Sequence, residues 1–360
     1  MKGDHTFLFC FFVLLGIGLI ILTSASFAIA CQKFNDCYFY LKHQLLAGYL
    51  PGLLFFFFFS SFNYQLLRKF ALPFLVLSIA FLSILFIPGL GISHGAAVQW
   101  INLKFISFQP SEIVKLGLII YLSAWFAGNE KEVFKKNFFP FIILFLIIEV
   151  LIIRQPDYGT AAIILILSLI IYFVAGAPTP RFIAFLLLGI ISFVILTFFS
   201  PYHLSRITTF FNPTAKPLEA GYQVNQSLLA IGAGGSFGRV LGHSIQKYFY
   251  LPEVIGDSIF AVMAEELGFV LTLLVIGLYV YIFLRIFDIA LKSKDKFGKL
   301  LSFGIGSWFM VQFLINVSGM LNLLPLTGTT LPFLSYGGTS FCTFAAAFGI
   351  VYNVSKRSGG

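Results

Sequence analysis

The sequence predicts an all-α, polytopic membrane protein with about ten transmembrane helices and a long extracytoplasmic loop between helices seven and eight. Three observations carry that reading. Of the 360 residues, 59% are apolar and only 10% charged, where a soluble domain carries about 25% charged residues. The mean hydropathy is +0.96. The apolar residues also fall into blocks close to the roughly 20 residues that cross a bilayer. This composition excludes a soluble enzyme, a disordered chain and a disulfide scaffold. The net charge of +9 does not point to nucleic acid, because the basic residues are scattered between apolar blocks instead of gathered on one surface.

Taken in order, the apolar runs give spans at 7–30, 43–62, 71–92, 111–128, 138–153, 160–176, 182–200, 258–284, 301–321 and 332–354. Ala28-Ile29-Ala30-Cys31 loosely resembles a signal cleavage or lipoprotein site. The run before it exceeds the roughly 7 to 15 residues of a signal core, and Asp4 sits in its lead, so it reads as a retained first span. Cys31 and Cys37 can bridge only if their short stretch faces an oxidising compartment. Placing the N-terminus in the cytoplasm puts 14 of the 23 Lys and Arg residues inside, among them Lys131, Lys135 and Lys136 in one loop and Lys292, Lys294, Lys296 and Lys299 in another. That bias orients the chain, and an even number of spans then puts both termini in the cytoplasm. Residues 1–360 read as a single integral membrane domain, with the extracytoplasmic loop at about 201–257.

The outer side holds three polar segments that simple connectors do not need. The first runs from Gly95-Ala96 through Trp100 to Gln109-Pro110-Ser111-Glu112 and Lys115. Glu112 and Lys115 are three apart on one helix and can neutralise each other. The second, Arg154-Gln155-Pro156-Asp157, sits where two helices meet. Ionisable groups at membrane depth are costly, so Glu112, Lys115, Arg154 and Asp157 read either as a buried ion-pair network pinning helices or as functional groups. The third segment is the long loop itself. Gly221 to Ile231 has amides on one face and aliphatics on the other, as suits a membrane interface. Gly232, Gly234, Gly235 and Gly238 then read as tight turns or as a backbone cradle for an anionic headgroup. Arg206, Lys216, Arg239 and Lys247 make the loop basic, which fits a phosphorylated lipid. Asp257 ends it at the mouth of the next helix, as a helix cap or, if it faces a cavity, as a general base. Glu265 and Glu266 are adjacent, so at most one faces a site and the other pairs with a neighbouring helix.

These segments, in this order, resemble the SEDS family (shape, elongation, division and sporulation; FtsW/RodA). The resemblance rests on Gly95-Ala96 with Trp100-Ile101, on Gln109-Pro110-Ser111-Glu112 with Lys115, and on Gln155-Pro156-Asp157 with Gly159-Thr160. It continues with Gly221-Tyr222-Gln223, with Leu251-Pro252-Glu253 and Asp257 ahead of Glu265-Glu266-Leu267-Gly268, and with Leu331-Pro332-Phe333-Leu334-Ser335-Tyr336-Gly337-Gly338. Arg206 before Phe211-Asn212-Pro213 and Thr327-Gly328 before Thr330-Leu331-Pro332 look closer to the division branch than to the elongation branch. The chain departs from the family around Asp257, where Ile255-Gly256 and Ser258 replace the usual neighbours, and at Val98-Gln99, where basic residues are usual.

The resemblance implies a peptidoglycan glycosyltransferase of the cytoplasmic (inner) membrane that polymerises lipid II, an undecaprenyl-pyrophosphate-linked disaccharide-pentapeptide, on the outer face. It implies Asp257 as general base, with Lys115, Arg154, Arg206, Arg239 and Lys247 as candidate cations for the leaving pyrophosphate and Glu112, Asp157 and Trp100 around the substrate. It further implies a divalent metal ion, Mg or Mn, with unassigned ligands. The expected partners are a class B penicillin-binding protein (a transpeptidase) and other division or elongation machinery, with no nucleic acid. The competing readings are a lipid II flippase or transporter, which wants ionisable groups near the midplane, and a non-catalytic scaffold.

Overall fold

A computed structural model describes residues 3–358 except 88, 90, 95–96, 103–106, 129–137, 199–200, 213–220 and 249. Gly95-Ala96, Lys131, Lys135, Lys136, Pro213 and Lys216 of the sequence reading therefore lie outside the described residues. Each of the ten expected spans finds a helix. The first, α1 (His5–Phe34), is capped by Asp4, whose carboxylate accepts from Phe7 N at 2.9 Å. The second is built from α2 (Phe39–Gln44), a π turn at Leu45–Tyr49, and α3 (Leu50–Ser61). Pro51, which has no N–H to give, lies just beyond the widened turn. Cys31 and Cys37 form a disulfide that closes the connection between α1 and α2.

The third helix, α4 (Tyr64–Ile84), starts before and stops short of the expected 71–92. Gly89, at φ +90, follows Pro88 in the sequence and turns the chain out of the helix. Beyond it a small antiparallel sheet forms from β1 (Gly91–His94), β2 (Ala97–Asn102) and β3 (Ser107–Phe108), in the order β1-β2-β3. The sequence reading had no strands here. Pro110 opens α5 (Pro110–Phe126) at a position where its missing donor costs nothing. Three short apolar helices follow, α6 (Phe138–Ile153), α7 (Tyr158–Val174) and α8 (Thr179–Phe198). The long loop contains two more, α9 (Pro201–Phe211) and α10 (Tyr222–Gly234), the second on the segment read as amphipathic. The last three spans are α11 (Ile259–Lys292), α12 (Lys296–Met320) and α13 (Gly338–Ser358).

Five spans among the described residues are long and apolar enough by length and composition to cross a membrane: His5–Phe34, Phe39–Ser61, Tyr64–Ile84, Ile259–Lys292 and Lys296–Met320. The centre of the bundle is α12 and α13. Trp308 stacks on Phe344 at 4.0 Å, and Phe309 and Phe333 both meet Phe348. Lipid tails are as apolar as Leu, so packing between helices here rests on close backbone approach. At Gly349 an added Cβ would stand 2.5 Å from Phe56 O of α3.

The feature that shapes the end of the bundle near Asp257 is a break in α11. Gly268 has φ 73 and ψ 179, which splits the helix after its first turns and frees backbone groups deep in an apolar element. Such groups must find partners inside the protein. The segment after α10 supplies them: Phe269 N donates to Gly235 O at 2.8 Å, Val270 N to Ser236 O at 3.1 Å, and Arg239 N to Glu265 O at 3.0 Å. The approach is so close that a Cβ on Gly238, itself at φ +79, would stand 2.2 Å from Glu266 O. The glycine run is thus a site of close packing between loop and broken helix.

Candidate active site

The two glutamates at the break hold the loop. The Glu265 carboxylate accepts from Ser244 Oγ at 2.5 Å, Ile245 N at 3.0 Å and Gln246 N at 3.3 Å. The Glu266 carboxylate accepts from Lys247 Nζ at 2.7 Å, Ser244 N at 3.3 Å and Ser24 Oγ of α1 at 2.6 Å. As expected of one of the two, Glu266 pairs with a neighbouring helix through Ser24 of α1, and both carboxylates also grip residues 244–247. Lys247 is 2% exposed and its charge is neutralised by Glu266. Arg239 is exposed, its Nε 3.8 Å from Glu265.

Asp257 ends the turn 253–258, which leads into α11. Ser258 is the cap residue of that helix and makes no side-chain cap bond, so the cap reading of Asp257 is corrected. One carboxylate oxygen instead lies 3.5 Å from Gln223 Nε2 of α10 and faces Gly328. The turn is held from behind by the connection between α12 and α13. Tyr336 N donates to Ile255 O at 2.8 Å, Ser335 Oγ to Gly256 O at 2.6 Å, and Asn316 Nδ2 to Asp257 O at 2.9 Å. Three successive carbonyls are thereby fixed and the carboxylate is left to face forward. Burial, reinforced by the nearby Glu253 carboxylate, pushes Asp257 up from the ordinary carboxylate range to about 6, against the opposing Arg206 guanidinium and the Gln223 amide.

In front of this turn lies a cavity of about 410 Å³, lined by Arg206, Thr209, Tyr222, Gln223, Pro252 and Asn322 among others. Arg206 Nη1 donates to Leu326 O at 2.6 Å, which fixes the guanidinium in the cavity wall. Gln223 belongs to both the wall and the Asp257 contact, so the acid stands directly behind a wall residue of the cavity that holds Arg206.

Lys115 is buried, and its ammonium donates to Glu112 at 2.6 Å and to Gln312 Oε1 at 2.8 Å, and lies over the Trp308 ring at 5.3 Å. Gln312 Nε2 donates to Thr330 O at 3.1 Å, and Asn316 Nδ2 to Thr329 O at 2.7 Å. A polar network therefore runs from Lys115 through α12 to the connection that holds the Asp257 turn. Asp157 caps α7, accepting from Thr160 N at 3.1 Å. Of the four charges read as a buried network or as functional groups, Glu112 and Lys115 pair, Asp157 caps α7 within electrostatic reach of both, and Arg154 is exposed. Trp100 lies half-buried on β2, opposite Ile92 of β1.

A family profile described as cell cycle protein (FtsW/RodA/SpoVE) matches residues 4–359. The chain belongs to that family. Among curated relatives of this FtsW/RodA/SpoVE member, stage V sporulation protein E of Bacillus subtilis (strain 168) is 38% identical over 348 residues, covering 96% of this chain and 95% of the relative. The probable peptidoglycan glycosyltransferase FtsW of Buchnera aphidicola subsp. Baizongia pistaciae is 38% identical over 358 residues, covering 98% and 93%. A chain of a peptidoglycan synthase complex that coordinates polymerization and crosslinking superposes with a TM-score of 0.81 at 26% identity, covering 99% of each chain. The rod shape determining protein RodA of Thermus thermophilus gives a TM-score of 0.74 at 25% identity, covering 100% and 99%.

Within this family fold, the motifs Gly221-Tyr222-Gln223, Leu251-Pro252-Glu253 and Leu331 to Gly338 converge on Asp257 although the first and last lie more than a hundred residues apart. Sequence reasoning missed Gln312 and Asn316. Their signal was present as two amides four residues apart in an apolar helix, where a polar side chain must find an internal partner.

Proposed function

We propose that this protein is a peptidoglycan glycosyltransferase that polymerises lipid II on the outer face of the cytoplasmic membrane, with Asp257 as general base. The observation that carries the reading is one acid, raised to about 6, held beside a cavity whose wall carries Arg206. A base titrating near the working pH is suited to accept a hydroxyl proton and to release it again. In the reaction the acceptor 4-hydroxyl attacks the donor's anomeric carbon from the face opposite the diphosphate. The new C–O bond forms as the C–O bond to the diphosphate breaks, the hydroxyl proton passes to Asp257, and negative charge collects on the leaving diphosphate. Arg206 stabilises that charge. Arg239 and Arg154, exposed, are candidates for the outer parts of so large a substrate. Lys115 and Lys247, buried in ion pairs, act by holding the frame.

Among the described residues no three His, Cys, Asp or Glu side chains come together in a set that could hold a metal ion. Among the described residues, then, no donor set of that kind fits a resident metal site. The divalent ion we infer, Mg or Mn, would arrive as counter-ion of the diphosphate substrate, and no step above depends on it.

The FtsW and stage V sporulation names among the relatives support the division branch, and the synthase complex supports a class B penicillin-binding protein as partner. Cytoplasmic termini are supported by the positive-inside bias and by the Cys31–Cys37 bridge. That bridge adjoins α2, whose Tyr40 packs on Tyr336 beside the Asp257 turn, so disulfide and active site share the outer side. The test is reconstitution with the cognate transpeptidase in vesicles loaded with lipid II. Glycan strands are expected; translocation of lipid II without strands would establish the transporter reading in its place.

A further inference from the structure

Glu253 belongs to a motif that the mechanism leaves unused, and its backbone is unusual. It stands at φ +50, in the left-handed region that favours glycine and that other L residues enter at a cost. Its carbonyl accepts from Gly256 N at 3.0 Å and Ser258 N at 3.2 Å, so the two donors that flank Asp257 in sequence both return to Glu253. The bonds from Tyr336, Ser335 and Asn316 over-determine the same turn and hold it in that conformation. A glycine would enter this backbone without strain, yet the position carries a carboxylate, exposed, on the turn that presents Asp257. The carboxylate folds back over its own turn: a Cβ on Gly256, the residue before Asp257, would stand 3.5 Å from Glu253 Oε2.

We propose that Glu253 is a positioning residue for Asp257: its left-handed backbone shapes the turn that holds Asp257 beside the cavity, and its carboxylate, folded back over that turn, is the charge beside which Asp257 must ionise. The proposal rests on the glycosyltransferase reading only for the identity of the hydroxyl that gives up the proton. The other groups facing this pair are few. Arg206 on α9 opposes the Glu253 charge at Asp257, Gln223 on α10 contributes an uncharged amide, and Tyr40 of α2 lies within electrostatic reach of Glu253. Glu253 is the charged neighbour that raises Asp257 most, after burial itself.

The two roles separate by substitution. Glu253→Gln keeps a side chain in the left-handed position and removes the charge, Glu253→Gly removes both charge and strain, and Glu253→Asp keeps the charge. The first measurement is an infrared titration of the Asp257 carboxyl in the purified protein, isolated by difference against Asp257→Asn, which needs no turnover. Glu253→Gln and Glu253→Gly are expected to move the Asp257 midpoint down by roughly half to one pH unit, and Glu253→Asp to leave it near the wild-type value. The second is the pH profile of lipid II polymerisation with the transpeptidase partner. Its acid limb is expected to move down in parallel, so that Glu253→Gln retains severalfold more of its own plateau rate at pH 5 than wild type does, while the plateau itself falls because the base is weaker. An unmoved Asp257 midpoint in both neutral variants overturns the proposal. A wild type whose Asp257 titrates as described and shifts in the variants, but which forms no glycan, overturns the glycosyltransferase reading and leaves the coupling standing.

Discussion

At the scale of single residues, the charges around the Asp257 end of the bundle divide by burial, and their consequences divide with them. Asp257 is raised to about 6 from 3.8, so the folded state holds its proton more tightly than the unfolded chain does. The cost of its charge to folding is absent below the unfolded value, grows as pH rises between the two, and is complete above the higher one. Asp257→Asn is therefore expected to unfold at higher temperature than wild type at pH 7.5 and at the same temperature near pH 4, as thermal unfolding in detergent would register. Lys247 and Arg239 make the opposite comparison. Lys247→Met strands the buried Glu266 carboxylate and should cost about 3–5 kcal/mol, with part recovered in the Lys247→Met/Glu266→Gln pair. Arg239→Ala removes an exposed contact at 3.8 Å and should cost about 1 kcal/mol or less. Equal losses in the two proteins would contradict the division into frame and surface.

At the scale of elements, the break in α11 is what lets a loop enter the outer end of the bundle. Gly268→Ala places a Cβ 2.1 Å from Gly238 N at a φ of +73, and nothing rigid there can yield. That variant should lose both stability and partner-dependent activity, while Gly277→Ala, which meets nothing within 4 Å in the same helix, should match wild type by the same assays. The sequence made the helices legible because apolar blocks of bilayer length admit few other structures, and it made the α10 segment legible through its amide face. It did not reveal the break, since Glu265-Glu266-Leu267-Gly268 reads as continuous helix until a loop donates to it. Nor did it reveal the small sheet, which lies in a segment with no periodicity long enough to separate strand from turn. For the site, Asp257 and Arg206 were legible as polar groups at a membrane boundary. Their separation from Lys115 and Lys247 was not, because burial in an ion pair depends on which helices meet.

At the scale of the whole molecule, α12 and the connection to α13 form a rigid frame. Lys115, Gln312, Asn316 and Ser335 tie the bundle to the carbonyls behind Asp257, while α9 and α10 close the cavity from the front with Arg206 and Gln223. A base fixed behind one wall residue and a cation fixed in the same wall need no water reorganisation at the moment of transfer. The Cys31–Cys37 bridge closes the connection into α2, whose Tyr40 packs on Tyr336. Reduction should therefore free two thiols reachable by an impermeant maleimide from the outside of intact cells, and labelling only from the inside would contradict the orientation. The central claim is that Asp257 takes the proton. The measurement that tests it most directly is lipid II polymerisation by purified protein with its transpeptidase partner, wild type against Asp257→Asn, at matched folding and partner binding. The account predicts glycan strands from wild type and none from the variant; strands of equal length and yield from both would contradict it.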